Sequence, residues 1–218
     1  MKGTDAGAAE PEFSAFISQY SEFSDEDTYA LRIFKERMVQ KTMFKYAEYV
    51  GGSSAFATRV YDLIRSGSHD RPRFGISFAH MFMAREKMRP ALWFFKVGER
   101  LPEEVRFKAS RGAESVYKVH TCGHLLVRKM AEEGGGWKAA AESRGLIPNK
   151  LKNVFFKRRT ARGTVEFRCM PSASLILALK DEVNPDYWFV FPDELSDAKE
   201  RKRFEALAER YELAGGIS

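Results

Sequence analysis

Residues Trp137 to Lys157 read WKAAAESRGLIPNKLKNVFFK, and their spacing predicts two short helices joined by a tight turn. Ala139, Ala140 and Ala141 are small enough to let a second helix cross closely. Gly145 follows four residues after Ala141, where a sharp turn calls for a positive φ that glycine adopts at no steric cost. Leu146 is the apolar plug under the turn. Pro148 falls at the first residue of the second helix, where a missing N–H costs nothing. Leu151 and Val154 are three apart and face the first helix. Asn149, Lys152, Asn153 and Phe156 remain outward, with Lys150, Lys157, Arg158 and Arg159 on the flanks. Asn, Lys and Arg are the residue types that reach base edges and phosphates from a recognition helix. The stretch therefore reads as a DNA-binding helix-turn-helix. The plainer reading is a helical hairpin whose polar face is only solvated.

Charge is distributed in a way that favours the first reading. The chain has 218 residues, enough for one large or two small domains, and a net charge of +6. Its first 27 residues carry seven acids, Asp5, Glu10, Glu12, Glu22, Asp25, Glu26 and Asp27, against one lysine. From Val105 to Arg168 there are fifteen Lys and Arg against five acids. The basic excess surrounds the helix-turn-helix stretch, as an electrostatic footprint for nucleic acid should. Arg162 extends the basic arm that follows the second helix. Two cysteines give no disulfide framework. No apolar run has the length of a membrane span, and the acidic head lacks the order of a secretory signal. The expected location is the cytoplasm.

Taken in order, the chain divides into an acidic, partly disordered segment (1–27), a helical domain (28–98), a basic domain (103–192) and a C-terminal amphipathic helix (196–213). Ser24-Asp25-Glu26-Asp27 reads as a helix start, with acids on the positive end of the dipole. One helix is expected from Thr28 to Tyr49. Gly51-Gly52-Ser53-Ser54 ends it, and either serine can cap a helix from Ala55 to Arg65. Phe78, Met81, Phe82, Trp93, Phe94 and Phe95 read as core around a break at Pro90. The run 103–133 reads as helix. Thr164, Val165 and Phe167 read as a strand after a basic arm, with 174–180 or the aromatic run 185–192 as further strand candidates.

A second turn resembles the first. AEYVGGSSAFATRVYDLIR (47–65) aligns under AESRGLIPNKLKNVFFKRR (141–159). The alignment places Ala47 with Ala141, Gly51 with Gly145, Val60 with Val154 and Arg65 with Arg159. The basic stretches that follow, with Arg71 and Arg73 in one and Arg158 to Arg162 in the other, are alike in kind. The pattern suggests an internal duplication offset by about 94 residues, chance similarity of two helical hairpins being the alternative. The first unit presents Ser53, Ser54, Thr58, Arg59 and Asp62, a less basic face, with Arg65 further along. The fold class expected is mainly α with a few short strands. It comprises two helix-turn-helix-like units and a small strand or wing element near 163–192.

Residues 47–95 also resemble the N-terminal half of FlhC, the subunit of the flagellar master transcriptional activator. The shared features are a turn before a TRVYDLIRSG-type helix, the Pro72-Arg73-Phe74-Gly75 stretch, and an aromatic-rich helix with Phe78, Met81, Phe82 and Met83. That family carries a four-cysteine zinc site in its C-terminal half, which has no counterpart here. The resemblance implies a bacterial, helical, DNA-binding regulator that forms oligomers.

Other chemistry is poorly represented. His120, Cys122, His124 and the distant Cys169 are the right types for zinc, but there is no CxxC pair and their spacing is not a strong signature. No phosphate-binding glycine loop, GxSxG or HExxH is present, so neither an enzyme nor a cofactor is expected. The leading expectation is a sequence-specific transcriptional regulator acting on double-stranded DNA, without membrane contact, as a homo-oligomer or with a second subunit. The alternative is a non-catalytic helical subunit of a larger nucleoprotein assembly, in plasmid or phage replication, conjugation or an RNA-guided complex.

Overall fold

The computed structural model describes residues 23–66, 76–160 and 163–214. Side chains are described except at 66, 156–160, 163–168 and 212–214, and Arg71, Arg73 and Arg162 lie outside the described residues. The described chain is mainly helical. Its α-helices are α1 (Tyr29–Val39), α2 (Met43–Tyr49), α3 (Ser54–Ser66), α4 (Phe78–Ala84), α5 (Cys122–Glu133), α6 (Trp137–Glu142), α7 (Pro148–Lys152), α8 (Ala173–Leu179) and α9 (Ala198–Ala214). One antiparallel hairpin, β1 (Phe155–Thr160) with β2 (Gly163–Arg168), follows α7. Short 3-10 turns occupy Pro90–Trp93, Ala113–Tyr117, Pro185–Phe189 and Pro192–Glu194. None of the described helices is long and apolar enough to cross a membrane.

The helix expected over 28–49 is two helices. Thr28, not the acidic run before it, caps α1, its side chain accepting from the Leu31 N–H at 3.3 Å. Asp27 is instead buried against the Lys35 ammonium, with contacts of 2.9 and 2.8 Å. α1 stops where Lys41 adopts φ 54° and the Thr42 N–H turns back to the Arg37 carbonyl. Residues 103–112 are not helical; Phe107 instead bridges Leu195. The apolar run expected as a strand partner is the helix α8, and 185–189 is a 3-10 turn. Ser172 explains α8, because its hydroxyl accepts from the Leu175 N–H and starts a helix in apolar sequence.

Met81, Phe82, Trp93, Phe94 and Phe95 are buried as expected. They join Phe34, Phe56, Leu151, Leu175, Trp188 and Phe189 in one apolar cluster with members from both sides of the 98–102 turn. A smaller cluster holds α9 down through Phe204 and Tyr211, which meet Val105, Cys122, Leu125, Val190 and Leu195. The Tyr211 hydroxyl donates to Glu132 at 3.0 Å. Burial and that carboxylate partner raise its pKa to about 12.

Glu194 is the main polar tie across the molecule. Its buried carboxylate accepts from the Arg85 guanidinium at 2.6 Å and from the Ser110, Arg111 and Phe191 N–H groups at 2.8, 2.9 and 3.1 Å. Burial lowers the Arg85 pKa, and the Glu194 charge and hydrogen bond oppose that shift. Removing one member of such a pair strands the other in a dry site, at a typical cost of ~3–5 kcal/mol. Glu194→Ala should therefore lose about that much stability in chemical denaturation. Glu99→Ala removes a more exposed partner of Lys180 and should cost less than ~1 kcal/mol.

Candidate nucleic-acid interface

The second helical pair is built as its composition suggests. Ala140 and Ala141 are fully buried, which lets α6 and α7 approach closely. Gly145 has φ 63°, its N–H returns to the Glu142 carbonyl at 3.1 Å, and the Leu146 N–H returns to Ala141 at 2.9 Å. Pro148 opens α7. Leu151 and Val154 are buried, while Asn149, Lys150, Lys152 and Asn153 are all exposed. The Asn153 N–H bonds the Asn149 carbonyl at 2.9 Å, so the two asparagines are one helical turn apart. From Ser143 to Thr160 there is no acidic residue, and this exposed face therefore carries no negative charge of its own.

The structure corrects the length of that helix. α7 ends at Lys152, and Phe155 already belongs to β1. Lys157, Arg158 and Arg159 are strand residues paired with Glu166, Val165 and Thr164, not an arm trailing from a helix. The partner of the expected strand is thus the segment whose spacing suggested the end of the second helix. Aromatic residues in succession suit a pleated, half-buried surface better than a helix end.

Packing seats the base of the hairpin. The Phe155 ring is buried between Trp137 at 5.3 Å and the rings of His124 and His120 at 5.7 and 5.8 Å, with the Arg128 guanidinium 5.1 Å away. His124 also reaches past the far strand. Its Nε2 lies 2.9 Å from the Cys169 carbonyl, and its Nδ1 lies 2.7 Å from the Thr121 hydroxyl. Thr121 and His124 form the capping box that begins α5.

The His120, Cys122, His124 and Cys169 combination does not make a metal site. Both His124 nitrogens are engaged, the ligand types do not converge, and no group of three potential ligands occurs among the described residues. Burial also pushes the Cys122 thiol well above its usual range. The sequence signal was real but meant something else: Thr-x-x-His is N-cap to N3 spacing. His124 is the positioning residue that composition alone did not reveal.

The first unit repeats the turn. Gly51 has φ 86°, its N–H returns to Glu48 at 2.9 Å, and the Gly52 N–H returns to Ala47 at 2.8 Å. Ala47, Ala57 and Val60 are buried at the positions of Ala141, Leu151 and Val154. Ser53 is the capping serine, its hydroxyl accepting from the Phe56 N–H at 3.3 Å. Ser54, Thr58, Arg59 and Arg65 are exposed along α3. The Thr58 hydroxyl donates to the Ser54 carbonyl at 2.9 Å. His80, beside this helix, has its pKa lowered by burial and then by the Arg59 charge.

With this geometry described, comparison with protein-family models, curated proteins and solved structures finds no match.

Two glycines separate backbone strain from packing. A Cβ at Gly145 would meet nothing within 4 Å, so Gly145→Val should cost only the left-handed strain, ~1–2 kcal/mol, and Gly145→Asn less. At Gly123 a Cβ would stand 2.5 Å from the Trp188 ring. Gly→Ala inside a helix ordinarily stabilises, and Gly123 lies in the first turn of α5. Here overpacking should reverse the sign, by ~1–3 kcal/mol, in thermal or chemical melts.

Proposed function

We propose that this protein is a sequence-specific DNA-binding transcriptional regulator that uses helix-turn-helix units and catalyses no reaction. The observation that carries the reading is the exposed, acid-free face of α7, with Asn149, Lys150, Lys152 and Asn153 around a buried Leu151 and Val154. A strand bearing Lys157, Arg158 and Arg159 begins three residues after α7 ends. Asparagine pairs in a bidentate way with adenine and lysine donates to guanine, each for ~1–3 kcal/mol of discrimination. A basic hairpin beside a reading helix suits phosphate contact, which positions without specifying. The resemblance of residues 47–95 to FlhC points the same way.

A second reading has its own observation. Phe44, Tyr49 and Met83 are each more than half exposed on the first unit, and apolar exposure of that kind suits a protein partner. It corresponds to a helical subunit of a larger nucleoprotein assembly that meets nucleic acid without reading sequence.

Selection from a random duplex pool separates the two. A regulator enriches a motif, whereas a phosphate-only binder gives uniform affinity and a steep salt slope. Asn153→Ala should flatten preference at one base position, by ~1–3 kcal/mol, and leave non-specific affinity nearly unchanged because no charge is lost. Arg158→Ala with Arg159→Ala should weaken all duplexes alike and reduce the salt slope by about two phosphate contacts. An unenriched pool, or a base profile indifferent to Asn149→Ala, Lys152→Ala and Asn153→Ala, would remove the regulator reading.

A further inference from the structure

The two helical units share far more than one turn. Thr28 and Thr121 each cap the first helix by accepting from the N–H three residues on. The next turn uses one set of bonds twice. Gln40, Lys41 and Thr42 donate to Glu36, Met38 and Arg37, and Gly134, Gly135 and Gly136 donate to Met130, Glu132 and Ala131. Lys41 and Gly135, at the same step, both have positive φ. Ser77 and Ser172 cap seven-residue helices, and Pro90 and Pro185 then open 3-10 turns that bury Trp93 and Trp188. Each unit closes alike: Tyr29 N–H to the Phe95 carbonyl at 3.1 Å, Cys122 N–H to the Val190 carbonyl at 2.9 Å. Glu99 and Glu194 then cap equivalent N–H groups, of Lys96 at 2.9 Å and Phe191 at 3.1 Å.

The contacts between the units are reciprocal. Arg85 and Lys180 are equivalent, as are Glu194 and Glu99. Arg85 of the first unit pairs with Glu194 at 2.6 Å, and Lys180 of the second pairs with Glu99 at 2.7 Å. Arg89 and Asn184 are equivalent, and both donate to the single Glu103 carbonyl, at 2.9 and 2.7 Å. Ala91 and Asp186 are equivalent and touch each other, N–H to carboxylate, at 2.9 Å. Residue-to-equivalent contacts and exchanged ion pairs are the mark of a two-fold axis; a head-to-tail arrangement produces neither.

We propose that the chain is a duplicated, single-chain counterpart of a two-fold dimer, and that α3 and α7 read two half-sites of one duplex, related by this internal axis. The inference rests on the DNA-binding reading above. On the exposed faces Ala55, Thr58 and Arg59 stand where Asn149, Lys152 and Asn153 stand. The half-sites therefore differ in sequence, and the natural target is an asymmetric site. Two-fold operators mirror two-fold proteins, with half-sites about 34 Å apart or a multiple of that. Carrying both units in one chain makes the second contact intramolecular, so no second copy is needed.

The test uses the full chain. Selection from random duplex DNA should yield two dissimilar blocks, and native mass spectrometry should count one chain per selected duplex. Asn153→Ala should erase preference in one block only, and Thr58→Ala with Arg59→Ala in the other, each by about fivefold or more. The triple variant Ala55→Asn, Thr58→Lys, Arg59→Asn copies the second face onto the first at exposed positions. It should select an inverted repeat of the block that Asn153 reads. A direct repeat would overturn the two-fold axis in the complex. A single block, two chains per duplex, or a motif blind to the α3 variants would overturn the paired reading and leave the DNA-binding function standing. Failure to enrich any duplex would overturn both.

Discussion

The carboxylate of Glu194 is the constraint on which the arrangement of the molecule depends. It is the last residue of the final 3-10 turn of the second unit, yet its strongest partner is Arg85, at the end of α4 in the first. Both side chains are almost entirely shielded from water. Charges withdrawn that far repay their desolvation only when every remaining lone pair and proton is satisfied. Glu194 meets that condition with three backbone N–H donors, and Arg85 with the Phe189 and Arg111 carbonyls at 2.9 and 3.0 Å. The pair thereby specifies geometry more than it adds stability. Asp186 behaves similarly at the 3-10 turns: burial raises its pKa, opposed by the Arg89 charge at 2.6 Å and the Ala91 N–H.

The equivalent pair on the other side is more exposed. At Glu99 burial acts to raise the pKa, but the hydrogen bonds and charges of Lys180 and Lys96 outweigh it and the pKa falls. Its contribution to stability is present above the unfolded carboxylate range and fades as pH drops through the folded value. This ion pair therefore exists twice with unequal burial. Arg85 and Glu194 are shielded, whereas Lys180 and Glu99 remain partly exposed.

The two candidate reading elements also differ. α3 runs for thirteen residues, whereas α7 gives way after five to a hairpin seated by Phe155 and His124. On the functional reading proposed above, the first unit offers a long helix of mixed polarity. The second offers a short helix of asparagine and lysine with a basic hairpin beside it. On the same reading, that difference would let one scaffold address two different sequences.

Much of this was legible in the residues. Gly145 and Gly51 announced their turns because positive φ is costly for any other residue. Pro148 announced a helix start because its ring presets φ. The spacing of Ala141, Leu151 and Val154 named the buried face before any packing was known, and mainly helical architecture followed from such periodicities. The break at Lys41 was not legible, because a lysine at φ 54° is chosen by the neighbours that close around it. The fate of Phe155 to Thr160 was not legible either. Six residues of mixed propensity become strand only where 163–168 pairs with them and a pocket of Trp137, His124 and His120 receives the first ring. The histidines and cysteines that looked like ligands were assigned to capping and seating by their tertiary partners. Local conformation was thus determined by sequence wherever a single residue's sterics dominate. Strand pairing, the hairpin's seat and the reciprocal contacts of the two units were decided only by tertiary structure, because each depends on groups that meet across a turn or between units and not on one residue's own sterics.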